Sequence, residues 1–179
     1  KQVPDTTEIK IDPVKNTLIR TGVPSILNPF DRNAVETALQ LKDTYGASVT
    51  VLSMGPPQAK AVLREALSMG ADRAYLITDR AFGGSDTYAN SYILSSAIRP
   101  QGPFAVVMGG KQAIDGDTAQ VGPEMAEHMD LPHVTLATGV EMADGKLRVQ
   151  RDTDEGHDII EVDLPALVTV TKNSYDPRY

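Results

Sequence analysis

The residues best suited to chemistry lie in one long turn, Gly109-Gly110-Lys111-Gln112-Ala113-Ile114-Asp115-Gly116-Asp117-Thr118-Ala119-Gln120-Val121-Gly122-Pro123. It leaves an apolar, β-branched run at 104–108 and enters a helix-forming segment near 118–129. Glycines let a backbone approach an anion closely, and free N–H groups at a helix start, where the positive dipole end sits, can hold a phosphate. The candidate ligand-binding residues here are Asp115, Gly116, Asp117, Thr118, Ala119, Gln120, Val121 and Gly122, with Thr118 and Gln120 able to add side-chain hydrogen bonds. A plain turn capped by Asp117 fits the same spacing, and spacing alone does not choose. A second turn, Ser53-Met54-Gly55-Pro56, closes the β-branched run 48–53; Gly55 would admit a flat ligand such as adenine and Met54 would pack on its ring. A helix start with proline just ahead of the first turn explains it equally. A third, Asn28-Pro29-Phe30-Asp31, offers the Asn28 amide, though asparagine is also an ordinary turn residue.

Other chemistries lack their parts. There is no G-x-G-x-x-G, and Ala105 stands where a Walker loop ending at Gly110-Lys111 needs its first glycine. Gly83-Gly84-Ser85-Asp86 resembles the pyrophosphate loop of ATP-cleaving ligases but follows a later strand and lacks flanking serines, so it reads as a surface turn. Asp115 and Asp117 have no third carboxylate or histidine at helpful spacing for Mg²⁺, and His128, His133 and His157 are scattered among different elements. No serine or carboxylate has a visible base partner. With no cysteine in 179 residues, redox chemistry must come from a bound cofactor.

The elements that would position these turns alternate. Runs 8–12 and 17–20 read as a hairpin. A helix capped by Asp31 carries Ala34, Val35, Ala38, Leu41 and Tyr45 on one face and stops at Gly46. Strand 48–53 leads to a helix bearing Ala59, Val62, Leu63, Ala66 and Leu67 that stops at Gly70; strand 74–78 leads to a helix near 87–98, and strand 104–108 to the helix near 118–129. Such alternation predicts a parallel α/β sheet with flanking helices. After Pro132 the runs 133–137, 146–150, 159–162 and 166–171 are strand-like, so the C-terminal part is expected to be β-rich. The net charge of −7 without a long basic run argues against nucleic acid or anionic lipid as partners. No apolar stretch reaches the ~20 residues of a membrane span and no signal-peptide core opens the chain, which points to a single cytoplasmic domain over 1–179.

Taken in order, Lys1-Gln2-Val3-Pro4-Asp5, Asn28-Pro29-Phe30-Asp31, Ser53-Met54-Gly55-Pro56, Ala66-Leu67-Ser68-Met69-Gly70-Ala71-Asp72, Gly110-Lys111-Gln112-Ala113-Ile114-Asp115-Gly116-Asp117 and Leu164-Pro165-Ala166-Leu167-Val168-Thr169-Val170 resemble the β subunits of electron-transfer flavoproteins along essentially the whole chain. The resemblance implies a Rossmann-like sheet of the adenine nucleotide α-hydrolase type. It implies a heterodimer with an α subunit that carries an electron-transferring FAD, and a second nucleotide in the β subunit. That nucleotide is AMP in ordinary members, and in electron-bifurcating members an FAD that oxidises NADH. By position, the family's nucleotide contacts fall on Asn28, on Met54 and Gly55, and on residues 115–122, and the wording Asp-Gly-Asp-Thr-Ala-Gln-Val-Gly-Pro resembles the bifurcating members. Acyl-CoA dehydrogenases or similar redox proteins are the implied partners. The resemblance also implies an apolar strand ahead of Lys1 and a docking loop and arm beyond Tyr179, so a chain truncated at both ends is expected. Two further readings stay open: a binding module whose AMP only stabilises the heterodimer, and an ATP-cleaving enzyme of similar fold.

Overall fold

The computed structural model describes residues 1–5, 10–12, 17–19, 24–171 and 176–179. In chain order the elements are β1 (Gln2–Pro4), β2 (Lys10–Asp12), β3 (Thr17–Ile19), β4 (Ser25–Leu27), α1 (Pro29–Tyr45), β5 (Thr50–Met54), α2 (Lys60–Met69), β6 (Arg73–Ile77), α3 (Thr87–Ile98), β7 (Val106–Gly110), α4 (Val121–Met129), β8 (His133–Ala143), β9 (Lys146–Thr153), β10 (Gly156–Val162) and β11 (Ala166–Val170). The mixed α/β architecture with a strand-rich C-terminal part is the one the alternation predicts. The expected hairpin is β2 paired antiparallel with β3, the part of it that falls within the described residues.

Parallel pairing occurs in two pieces. β5 pairs with β6, and β7 and β8 flank β11 in a five-stranded sheet of order β10-β9-β8-β11-β7, in which β8, β9 and β10 run antiparallel. All five residues of β11 are buried, as a near-continuous apolar run requires of a strand covered on both faces. One cover is α1, whose Ala34 joins Val134, Ala137, Leu147, Val149, Val168 and Val170. The other is the α3–α4 pair, where Met125 and Ala126 meet Leu167 with Leu94, Ile98 and Val107 against them. A separate cluster of Leu39, Val49, Met69 and Ala71 ties α1 to the β5–α2–β6 unit. β10 is the edge strand and is mostly exposed. No helix among the described residues is long and apolar enough to cross a membrane.

Several boundaries differ from the sequence expectation, for identifiable reasons. α1 starts at Pro29 instead of after Asp31, because a proline at the first helical position needs no N–H partner and Asn28 takes the cap position. Its stop is as expected: Gly46 is left-handed at φ 70° and its N–H bonds the Lys42 carbonyl. β7 is shifted to include Gly109 and Gly110, which pair with Thr169 and Val170 of β11. α4 begins at Val121, not near Thr118, so residues 118–120 are loop. β8, β9 and β10 are longer than the apolar runs that signalled them, since hairpin partners extend them into polar sequence.

Candidate functional site

The carboxyl ends of β7 and β11 lie side by side, and the β7–α4 connection leaves from there, the usual crevice of an open parallel sheet. The first half of that connection is clamped from behind. Lys111 N–H donates to the Val170 carbonyl at 2.9 Å, extending the sheet by one rung. Asn28, with no exposed surface, then acts as a staple: its Nδ2 donates to the Gln112 carbonyl at 2.9 Å and to Asp31 Oδ2 at 3.0 Å, and its Oδ1 accepts from Ile114 N–H at 3.2 Å. Asp31 is the second anchor. Its Oδ1 accepts from Gly110 N–H at 2.8 Å and its Oδ2 from the Lys1 main-chain nitrogen at 2.7 Å. Lys1 Nζ reaches on to both oxygens of Asp115, at 2.7 and 2.9 Å. One network therefore joins β1, the β4–α1 turn, the end of β7 and the loop.

Glycine at two positions is a packing demand. A Cβ on Gly110 would lie 2.6 Å from the backbone of Phe30 and Asp31, so only glycine lets the end of β7 abut the start of α1. A Cβ on Gly122 would lie 2.4 Å from Thr169 Cγ2, so Gly122 sets how closely α4 seats on β11. The sequence reading put an anion where a Gly122 side chain would project; the structure puts Thr169 there.

The second half of the loop is arranged differently. Asp115, Gly116, Asp117, Thr118, Ala119 and Gln120 are exposed, and Val121 and Gly122 are half-buried. Asp117 and Ala119 are both left-handed, at φ 52° and 55°, a conformation that costs non-glycine residues and is retained where surroundings enforce it. Asp117 does not cap α4: its N–H bonds the Ala113 carbonyl and its Oδ1 accepts from Gln112 Nε2 at 2.7 Å. None of the N–H groups of residues 118–122 finds a main-chain acceptor among the described residues. A Cβ built on Gly116 meets nothing within 4 Å, so space lies open beside the loop. Unused donors at the first turn of a helix, on a loop fixed from behind, fit an anionic oxygen group.

Met54 and Gly55 stand at the end of β5, where the Gly55 N–H bonds the Ile77 carbonyl of β6 at 3.0 Å. They line a cavity of about 330 Å³ with Pro56, Pro57, Thr78, Asp79, Arg80, Phe82 and Gly83. None of these residues belongs to the Asn28 network or to the 115–122 loop, so the candidate residues fall into two groups. A further cleft of about 450 Å³ lies between Lys111, Thr171 and the β8–β9 hairpin, lined also by Leu136, Arg151, Asp152, Thr153 and Asp154. There Lys111 Nζ sits 5.0 Å from the centre of the Phe30 ring, a cation–π contact. Sequence reasoning missed Asp31, Lys1 and Gln112 as loop anchors and the β6–α3 turn as a cavity wall. The available signal was the cluster of polar residues flanking short turns at strand ends.

The family described as electron transfer flavoprotein domain matches residues 15–179 of the chain. Electron transfer flavoprotein subunit beta of Clostridium acetobutylicum is 57% identical over 179 residues, covering 100% of this chain and 69% of the relative. Subunit CarD of the caffeyl-CoA reductase-Etf complex of Acetobacterium woodii is 53% identical over 180 residues, again 100% of this chain and 69% of the relative. Protein FixA of Azotobacter vinelandii is 47% identical over 185 residues, with 100% and 66% covered.

Proposed function

Because this chain belongs to the electron-transfer flavoprotein β-subunit family, whose members work in electron transfer beside an α subunit, we propose that its carboxyl-edge loop holds FAD and that the flavin takes electrons from NADH. The observation that carries this reading is the loop itself: five consecutive unclaimed N–H groups at residues 118–122, opening on α4 and held by Asn28 and Asp31. Those N–H groups, with the Thr118 and Gln120 side chains, would hold the phosphates, and Met54 and Gly55 would border a ring. Asn28 serves through the loop, since its amide is consumed by Asp31, Gln112 and Ile114. With no cysteine in the chain, the bound flavin supplies the redox step, accepting a hydride and releasing electrons singly. The loop wording from Asp115 to Pro123, which resembles the bifurcating members, favours FAD over AMP. A redox partner of the acyl-CoA dehydrogenase type would receive part of the electron flow.

The alternative is AMP as a structural nucleotide, which the same phosphate donors would serve and which would stabilise the heterodimer by linkage alone. The test is to purify the full-length subunit with its α partner, denature the complex, and count released nucleotides by mass spectrometry. Two FAD and no AMP per complex are expected. One FAD with one AMP would assign the site to AMP, and one FAD alone would refute the loop as a nucleotide site.

A further inference from the structure

The cavity at the ends of β5 and β6 has a character the phosphate loop lacks. Met54, Pro56, Pro57 and Phe82 supply apolar walls, while Thr78, Asp79 and Arg80 bring polar groups to the same space. Mostly apolar lining with a few placed polar groups is the usual make-up of a site for a flat organic ring. The cleft beside Lys111 is different: two cations, two carboxylates and two threonines surround a single leucine, which offers a ring little to stack on.

The turn that carries Phe82 is built, and sequence reading dismissed it as a surface turn. Asp79 Oδ1 accepts from Ala81 N–H at 2.9 Å, Phe82 N–H bonds the Asp79 carbonyl at 3.2 Å, and the Phe82 carbonyl accepts from Ser85 Oγ at 2.9 Å. Asp86 Oδ1 then caps α3 through Ala89 N–H at 2.8 Å, and Asn90 Nδ2 donates to the Ser85 carbonyl at 3.4 Å. Gly84, at φ 80°, makes the left-handed step between them. Phe82 is thus half-buried on a turn pinned at both ends, with its ring free to serve as a wall.

We infer that this cavity, with Phe82, Met54, Thr78 and Arg80 as its working residues, receives the flavin ring of the bound FAD, the part of the ligand that AMP does not have. The inference rests on the proposed FAD reading and deepens it. Phosphate donors at residues 118–122 serve FAD and AMP alike, so selection between them must come from a separate ring site. Arg80 at this cavity favours a ring that gains negative charge on reduction.

The experiment uses the full-length heterodimer stripped of its β-site nucleotide and titrated separately with FAD and AMP. Phe82→Ala removes a wall without touching the main-chain bonds of its turn, and Thr78→Trp fills the cavity. Loss of one aromatic contact predicts about tenfold weaker FAD binding with AMP binding unchanged, and the indole predicts a larger loss of the same sign. Arg151→Ala, in the other cleft, is expected to leave the FAD-to-AMP ratio as it was. Equal losses of FAD and AMP in Phe82→Ala and Thr78→Trp would assign the cavity to adenine and overturn the inference, as would unchanged FAD affinity in both. A drop in the ratio caused by Arg151→Ala alone would move the ring to the cleft. Failure of the parent complex to bind either nucleotide would overturn the loop reading, and the ring site with it.

Discussion

Replacing Asn28 with alanine removes the staple that fixes the loop from behind, and the structure sets the size of the effect. The side chain has no exposed surface and makes three hydrogen bonds, to Asp31, the Gln112 carbonyl and Ile114 N–H. Alanine leaves the carbonyl and the N–H without partners in a half-buried turn and opens a small void. Each orphaned group costs about 1–3 kcal/mol, and partial water access argues for the low end, giving about 2–3 kcal/mol in all. For a chain of this size that corresponds to roughly 5–10 °C in Tm. Circular-dichroism melts of the nucleotide-free full-length complex read the change directly. Nucleotide titration should show weaker binding alongside it, because the N–H groups of 118–122 lose their fixed direction. A melt within about 2 °C of the parent would show that Asn28 does not anchor the loop and would refute the reasoning.

Other perturbations separate packing from binding. Gly122→Ala drives a Cβ to 2.4 Å from Thr169 Cγ2 and should destabilise the fold by roughly 1–3 kcal/mol, while adding Thr169→Ser, which removes that methyl and keeps the hydroxyl, should recover most of it in a double-mutant denaturation cycle. Gly110→Ala meets backbone instead, at 2.6 Å, so no side-chain trim should rescue it; recovery by a Phe30 substitution would contradict this. Burial acts to raise the Glu36 carboxyl, but hydrogen bonds from Arg178 and Gln40 and the Arg178 charge outweigh it and hold the group below its ordinary 4.5. Its contribution is therefore present above pH 4.5 and lost as pH falls through the lowered value, so Glu36→Gln should flatten the acid limb of stability against pH, and an unchanged limb would count against the pair.

Much of the fold was readable because periodicity and punctuation agree. α3 runs over 87–98 as expected because the Asp86 cap precedes a helix-forming run, and α1 ends where Gly46 permits a left-handed step. What was hidden depended on distant partners. Asp31 looks like a helix cap in sequence, yet its carboxylate reaches Gly110, 79 residues away, and only the packing of β7 on α1 reveals it. Gly122 looks like part of an anion cradle because glycine carries no label for why it is small; Thr169 across the interface supplies the reason. The loop 115–122 was legible as a place for chemistry from its glycines and strand-to-helix position, whereas the start of α4 at Val121 was not, because Thr118, Ala119 and Gln120 have no anti-helical composition and only the left-handed Ala119 breaks the run. The Phe82 wall escaped notice since its neighbours, Gly83 and Gly84, read as an ordinary turn.

The account stands or falls on whether the main-chain N–H groups of residues 118–122 hold a phosphate. Transverse-optimised ¹H–¹⁵N spectra of the isotope-labelled subunit in its complex, recorded with AMP and with adenosine, test it most directly. Downfield amide proton shifts at these residues with AMP and not with adenosine are expected. Equal responses to both, or shifts confined to other parts of the chain, would contradict the assignment.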